Sequence, residues 1–152
     1  MKAIILFLLL SLNAYASQIG HGTHVFGSII KYAPKKGWCA IIVKVFNSYK
    51  SSSDVPYLNA IEYVESLHPD YVNISGGSPK YLGEERDIIH RLGKTKFIVA
   101  IGNDKKDLQS PNNRFFPAQY EESNITVVAA IDRNGNPNSE NNWGLPGTRF
   151  EL

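Results

Sequence analysis

The sequence predicts an α/β domain built on a parallel sheet. Three observations carry that expectation. Apolar, β-branched runs of strand length recur along the chain, the gaps between them hold helical periodicities, and glycines close the strands at their carboxyl ends. Strand, helix, strand, helix, strand implies parallel pairing through right-handed crossovers.

The elements follow in order. Ala40 to Phe46 is nearly continuous Ile and Val, with Lys44 its only charge, and reads as a strand. The Ser-rich residues from Asn47 to Asp54 read as loop. From Pro56 to Leu67, Leu58, Ile61, Val64 and Leu67 recur at helical spacing, with Glu62 and Glu65 on the opposite face. Pro69 ends that helix. Asp70 to Ser75 is the second strand, closed by Gly76-Gly77. Glu84 to Leu92 is a second amphipathic helix that turns Ile88, Ile89 and Leu92 inward. Lys96 to Ile101 is the third strand, ended by Gly102-Asn103-Asp104. A polar loop, Lys105 to Arg114, leads to Phe115-Phe116-Pro117, and Asn124 to Ile131 is the fourth strand. The Asn-, Gly- and Pro-rich tail from Arg133 shows no clear element. Parallel strands of this kind are expected to be buried on both faces. Ligands of such sheets bind beyond the carboxyl ends of the strands, where Ser75-Gly76-Gly77 and Gly102-Asn103 lie.

A chain of 152 residues with 43% hydrophobic content suffices for one domain with a core and is too short for two. Sixteen Lys plus Arg against fourteen Asp plus Glu leave a net charge of +2, with no basic stripe interleaved with aromatics, so no nucleic-acid partner is expected. The N-terminus has the pattern of a secretory signal over residues 1–16. Lys2 supplies the positive start, Ala3 to Leu10 the apolar run, and Ala14-Tyr15-Ala16 a small-x-small cleavage site. The mature chain is then expected to begin at Ser17, with residues 17–152 as the domain, in the periplasm or secreted. The apolar run falls short of the ~20 residues of a spanning helix, so no stable membrane span is expected after cleavage. Cys39 is the only cysteine; among Ala40, Ile41 and Ile42 it reads as a structural thiol. Asn73-Ile74-Ser75 and Asn124-Ile125-Thr126 match the glycosylation triplet, but both lie in predicted strands and read as coincidence.

Gly20-His21-Gly22-Thr23-His24-Val25-Phe26-Gly27 resembles the H-G-T-H-V-x-G histidine motif of subtilisin-like serine peptidases. Further pieces of that resemblance follow in order. Tyr32-Ala33-Pro34 with Val43-Lys44-Val45 and the helix segment Asn59 to Tyr63 come first. Asp70 to Gly77 is similar to D-V-I-N-M-S-L-G-G, and Phe97 to Asp104 to V-V-V-A-A-A-G-N. Phe116-Pro117-Ala118, Ile125 to Asp132 and Asn141-Asn142-Trp143-Gly144 complete the set. Each piece alone is weak, whereas the ordered set from about Gly20 to Gly147 is specific.

The resemblance implies a subtilisin-like sheet and three site assignments. His21 is the general base, Asn103 donates to the oxyanion of the tetrahedral intermediate, and Ser75, Gly76 and Gly77 pair with an extended peptide substrate. Read without the resemblance, His21 is an exposed N-terminal histidine or one half of an H-x-x-H metal pair with His24. Asn103 is a turn residue, and Ser75-Gly76-Gly77 a plain strand end. No H-E-x-x-H frame or acidic cluster supports a metal, and no cofactor is expected. The Ser-Gly-Gly segment lacks the apolar residue of the family's S-L-G-G.

Two features of the family pattern are not found. No D-S/T-G context precedes His21, and no G-T-S-M-A follows Asn103, where Ser110, Ser123 and Ser139 lie in loops. The expected fold is therefore an incomplete subtilisin-like sheet without the first strand and the C-terminal serine helix. The expected function is that of a subtilisin-family serine endopeptidase homologue, inactive by itself. The alternatives are a secreted, non-catalytic peptide-binding protein and one fragment of a split peptidase completed by a second chain.

Overall fold

A computed structural model describes residues 2–8, 20–45 and 55–151. Its elements are β1 (Lys2–Leu8), α1 (His21–Tyr32), β2 (Trp38–Lys44), α2 (Val55–Leu67), β3 (Tyr71–Ile74), α3 (Gly83–Arg91), β4 (Lys96–Ala100), β5 (Ile125–Ala130) and β6 (Arg149–Glu151). The strands form one six-stranded sheet in the order β2-β1-β3-β4-β5-β6. Every neighbouring pair is parallel. The α/β parallel architecture expected from the sequence is the observed one.

The expected gap at the position of the first strand is filled. β1 pairs with β2 along its whole length, Lys2 opposite Trp38 through Leu8 opposite Lys44. Its other edge pairs with β3, from Ile4 opposite Tyr71 to Phe7 opposite Ile74. An apolar run of this length is compatible with a leader segment and with a strand buried between neighbours, and only the pairing separates the two. The expected cleavage site at Ala14–Ala16 and the expected start at Ser17 lie outside the described residues, as does Phe46 at the end of the second predicted strand.

The core lies between one face of the sheet and helices α2 and α3. Val72 and Ile74 of β3, Phe97 and Val99 of β4, Ile61 and Val64 of α2, and Ile88 and Ile89 of α3 are all essentially inaccessible. Asn73, Ile98 and Ala100, which alternate with these strand residues, are only partly buried. Burial on both faces was expected, but only one face of β3 and β4 is fully covered. α1 has Gly22 as its single buried residue. The short strand β6 pairs with the end of β5, Val128 opposite Arg149, and was not foreseen in the tail. Three residues are too few for a periodicity to register.

Buried polar side chains tie the layers together. The Asn124 amide donates to the carbonyls of Ile89 (2.9 Å) and Leu92 (3.0 Å) and so closes the end of α3. Thr95 Oγ1 donates to the Pro69 carbonyl at 2.6 Å. That the side chain of Asn124 is buried and bonded accords with reading its glycosylation triplet as coincidence.

Glu85 is 2% exposed and receives hydrogen bonds from the Tyr57 and Tyr120 hydroxyls, the latter at 2.7 Å. Burial lifts its carboxyl above the ordinary 4.5, and the two hydroxyls only partly offset that rise. Because the folded carboxyl binds its proton more tightly than the unfolded one, its contribution to stability is complete below pH 4.5. That contribution is lost as pH rises through the folded value. Glu85→Gln, which retains an oxygen and adds a donor, should flatten this dependence. The expected result is a Tm gap favouring the variant progressively as pH is raised from 4 to 8. Parallel pH profiles of the two melts would contradict it.

Candidate active site

α1 begins at His21 itself, after Gly20, whose carbonyl accepts from Thr23 N at 3.0 Å. The histidine therefore stands at the mouth of the helix, partly exposed, and its Nε2 lies 3.1 Å from the carbonyl oxygen of Ser75. A carbonyl only accepts, so Nε2 carries the hydrogen in this contact. His24, one turn on, is exposed. Among the described residues no group of three His, Cys, Asp or Glu side chains is gathered for a metal ion.

Ser75, Gly76 and Gly77 continue β3 beyond its last paired residue. The Ser75 hydroxyl accepts from Asn73 Nδ2 at 2.8 Å. Among the described residues, neither Gly76 nor Gly77 commits its backbone N–H or C=O to a hydrogen bond. Ser78, directly after, is held to Phe116 by a reciprocal pair of backbone bonds of 3.0 and 2.8 Å. The segment is thus anchored at both ends, with polar backbone available between.

Asn103 follows β4, the neighbour of β3, at the same carboxyl edge. It is exposed, and its side chain makes no hydrogen bond to a described residue. The segment that carries it is pinned by Asn142, 2% exposed. The Asn142 amide donates to the Ile101 carbonyl at 3.0 Å, and its oxygen accepts from Asp104 N and Lys106 N, each at 3.0 Å. The Asn142 backbone N–H donates to the Gly102 carbonyl at 2.9 Å. Gly102 has φ +92°, and a Cβ there would lie 2.5 Å from the Asn142 amide nitrogen, so both backbone and space require glycine.

Ser75-Gly76-Gly77 and Asn103 thus share one end of the sheet, and the His21 ring meets that end through Ser75. Sequence reasoning did not single out Asn142 as a positioning residue. Its only signal was membership in the Asn141-Asn142-Trp143-Gly144 string. Asn142→Ala is expected to lower unfolding stability by about 2–3 kcal/mol, since three bonds to buried or turn backbone are lost. It should also remove hydrogen-exchange protection at Asp104 and Lys106. Asn142→Asp, which keeps the accepting oxygen, should retain that protection. Equal loss in both variants would refute the assignment.

A helix-opening histidine and a Gly-Asn turn thus stand at the carboxyl edge of a parallel α/β sheet. The chain belongs to the Subtilase family, whose sequence profile matches residues 11–145. Among curated relatives, it is 26% identical to the major intracellular serine protease of Bacillus subtilis (strain 168), over 89% of this chain and 47% of that protein. It is 27% identical to subtilisin DY of Bacillus licheniformis, over 77% of this chain and 45% of that one. The chain thus spans about half the length of these curated relatives. The self-cleaved protease domain of PatA superposes with a TM-score of 0.70 at 21% identity, covering 98% of this chain and 66% of that one. The nisin leader peptidase NisP from Lactococcus lactis gives 0.69 at 17% identity, covering 98% and 61%. These two structures bear on the fold alone.

Proposed function

We propose that this chain carries the general-base and oxyanion positions of a subtilase site, at His21 and Asn103, and holds extended peptides along Ser75-Gly76-Gly77 without hydrolysing them by itself. The observation that carries this reading is the His21 contact. A general base must offer an unprotonated Nε2 to a hydroxyl, whereas here Nε2 donates to the Ser75 carbonyl. In a working triad an aspartate at Nδ1 holds the opposite tautomer. The segment 9–20 that joins β1 to His21 contains no acidic residue. Peptide holding needs only the backbone of Gly76 and Gly77, which no described residue engages, and main-chain pairing gives affinity that tolerates many sequences. Membership of the Subtilase family and the protease names of the curated relatives support a peptide as the ligand. The test is hydrolysis and serine-directed phosphonate labelling of the purified chain, alongside binding of extended peptides.

A second reading is that another chain supplies the aspartate and serine segments. The solvent exposure along most of α1 favours it. A neighbouring reading frame encoding D-S/T-G or G-T-S-M-A would support it, and reconstituted activity on mixing the two products would establish it.

Export to the periplasm or medium rests on the leader-like pattern of residues 2–16. It competes with the place of Lys2–Leu8 in the sheet, because cleavage after Ala16 removes β1. Among the described residues no helix is long and apolar enough to cross a membrane. The intact mass of the purified protein separates a chain starting at Met1 from one starting at Ser17.

A further inference from the structure

The carboxyl ends of β3 and β4 diverge into two glycine-bearing segments, 75–77 and 101–103, and one aromatic ring lies between them. A Cβ on Gly77 would fall 2.7 Å from Phe115 Cε1 and 2.8 Å from Cζ, as well as 2.4 Å from the Phe116 carbonyl oxygen. A Cβ on Gly102 would fall 2.8 Å from both Cε2 and Cζ of the same ring. The ring therefore touches both walls at once, and it fits because neither wall has a side chain at that point. Phe115 is 8% exposed, and its backbone is held on both sides. Its N–H donates to Gln119 Oε1 at 2.6 Å, its carbonyl accepts from Gln119 N at 3.2 Å, and the Gln119 amide donates to the Leu108 carbonyl at 2.9 Å. The next residue, Phe116, is bonded to Ser78 and stacked on Tyr120 with ring centroids 4.9 Å apart.

We infer that Phe115 closes the crevice between these segments, so that a peptide lying along Ser75-Gly76-Gly77 can place only glycine or alanine opposite it. The inference rests on the peptide-holding reading above and adds a ligand class to it. Alternate side chains of an extended peptide point to opposite sides, so a strand docked on 75–77 directs one of them toward the adjoining crevice. A ring already packed against both walls leaves no volume for a branched or aromatic group, and close-packed interiors do not absorb such an addition without displacement.

Fluorescein-labelled hexa-alanine peptides with Gly, Ala, Leu or Phe placed at each position in turn, titrated into the full chain and read by anisotropy, test this. At one position, Leu and Phe should bind at least about tenfold more weakly than Gly and Ala. Phe115→Ala should raise the affinity of the Leu and Phe peptides about tenfold while leaving the Gly peptide within a few-fold. If Phe115→Ala lacks a cooperative melt, Phe115→Leu takes its place, with a smaller gain for the Leu peptide. Equal binding by all peptides, or a ranking unchanged in the folded variant, would overturn the closed crevice and leave peptide holding intact. If no peptide binds either protein, the peptide-holding reading fails and this inference with it.

Discussion

Incubated with peptide substrates, the purified chain is expected to show no hydrolysis above buffer and no adduct with a serine-directed phosphonate. The reason is local to His21. Its Nε2 lies 3.1 Å from the Ser75 carbonyl, a group that can only accept, so in this contact Nε2 faces no hydroxyl to deprotonate. In a triad an aspartate at Nδ1 holds the imidazole in the tautomer that leaves Nε2 free and later stabilises the imidazolium. A site without a triad member keeps only about 10³–10⁴-fold over the water reaction, from the oxyanion donors and binding. That is far short of the 10⁶-fold or more typical of enzymes. Ser75 is the serine beside the histidine, and its hydroxyl already accepts from Asn73 Nδ2. Stoichiometric labelling abolished by Ser75→Ala, or by the same change at Ser110, Ser123 or Ser139, would reveal a nucleophile and reverse the conclusion. Activity that appears only on adding a second polypeptide would instead favour the two-chain reading.

The second large effect concerns the N-terminus. A chain beginning at Ser17 is expected to lose the cooperative unfolding transition of the full chain. β1 lies between β2 and β3, and among the described residues β2 has no other neighbour in the sheet. Removing it leaves both flanking strands with rows of unpaired N–H and C=O groups and cuts β2 from the sheet. Native domains hold only about 5–15 kcal/mol in total, and the loss of a central strand exceeds such a margin. Ile5→Pro should reproduce much of the effect in the intact chain. Proline removes a ladder donor at a position paired on both sides, opposite Ile41 and Val72. The readout is urea unfolding followed by circular dichroism. A Ser17 chain with an unchanged transition midpoint would show that the sheet does not need β1, and an export leader would then be compatible with the fold.

The sequence by itself determined the strands from Ala40 to Ile131, the two helices between them and the family. These depend on periodicities of a few residues and on the order of short motifs, both of which lie along the chain. It also marked Ser75-Gly76-Gly77 and Gly102-Asn103 as neighbours at one edge, since the ends of adjacent parallel strands must meet there. Tertiary structure alone decided the rest. Lys2–Leu8 carries the composition of a leader and of a central strand alike, and its register with β2 and β3 is what makes it β1. Asn142 stood in a polar tail with nothing in its neighbours to foretell three bonds to the 101–106 segment. Phe115 followed a loop, and its contact with two glycines far away in the chain exists only once β3 and β4 lie side by side. Each is a contact between groups far apart in the chain, which leaves no local pattern in the residues that make it.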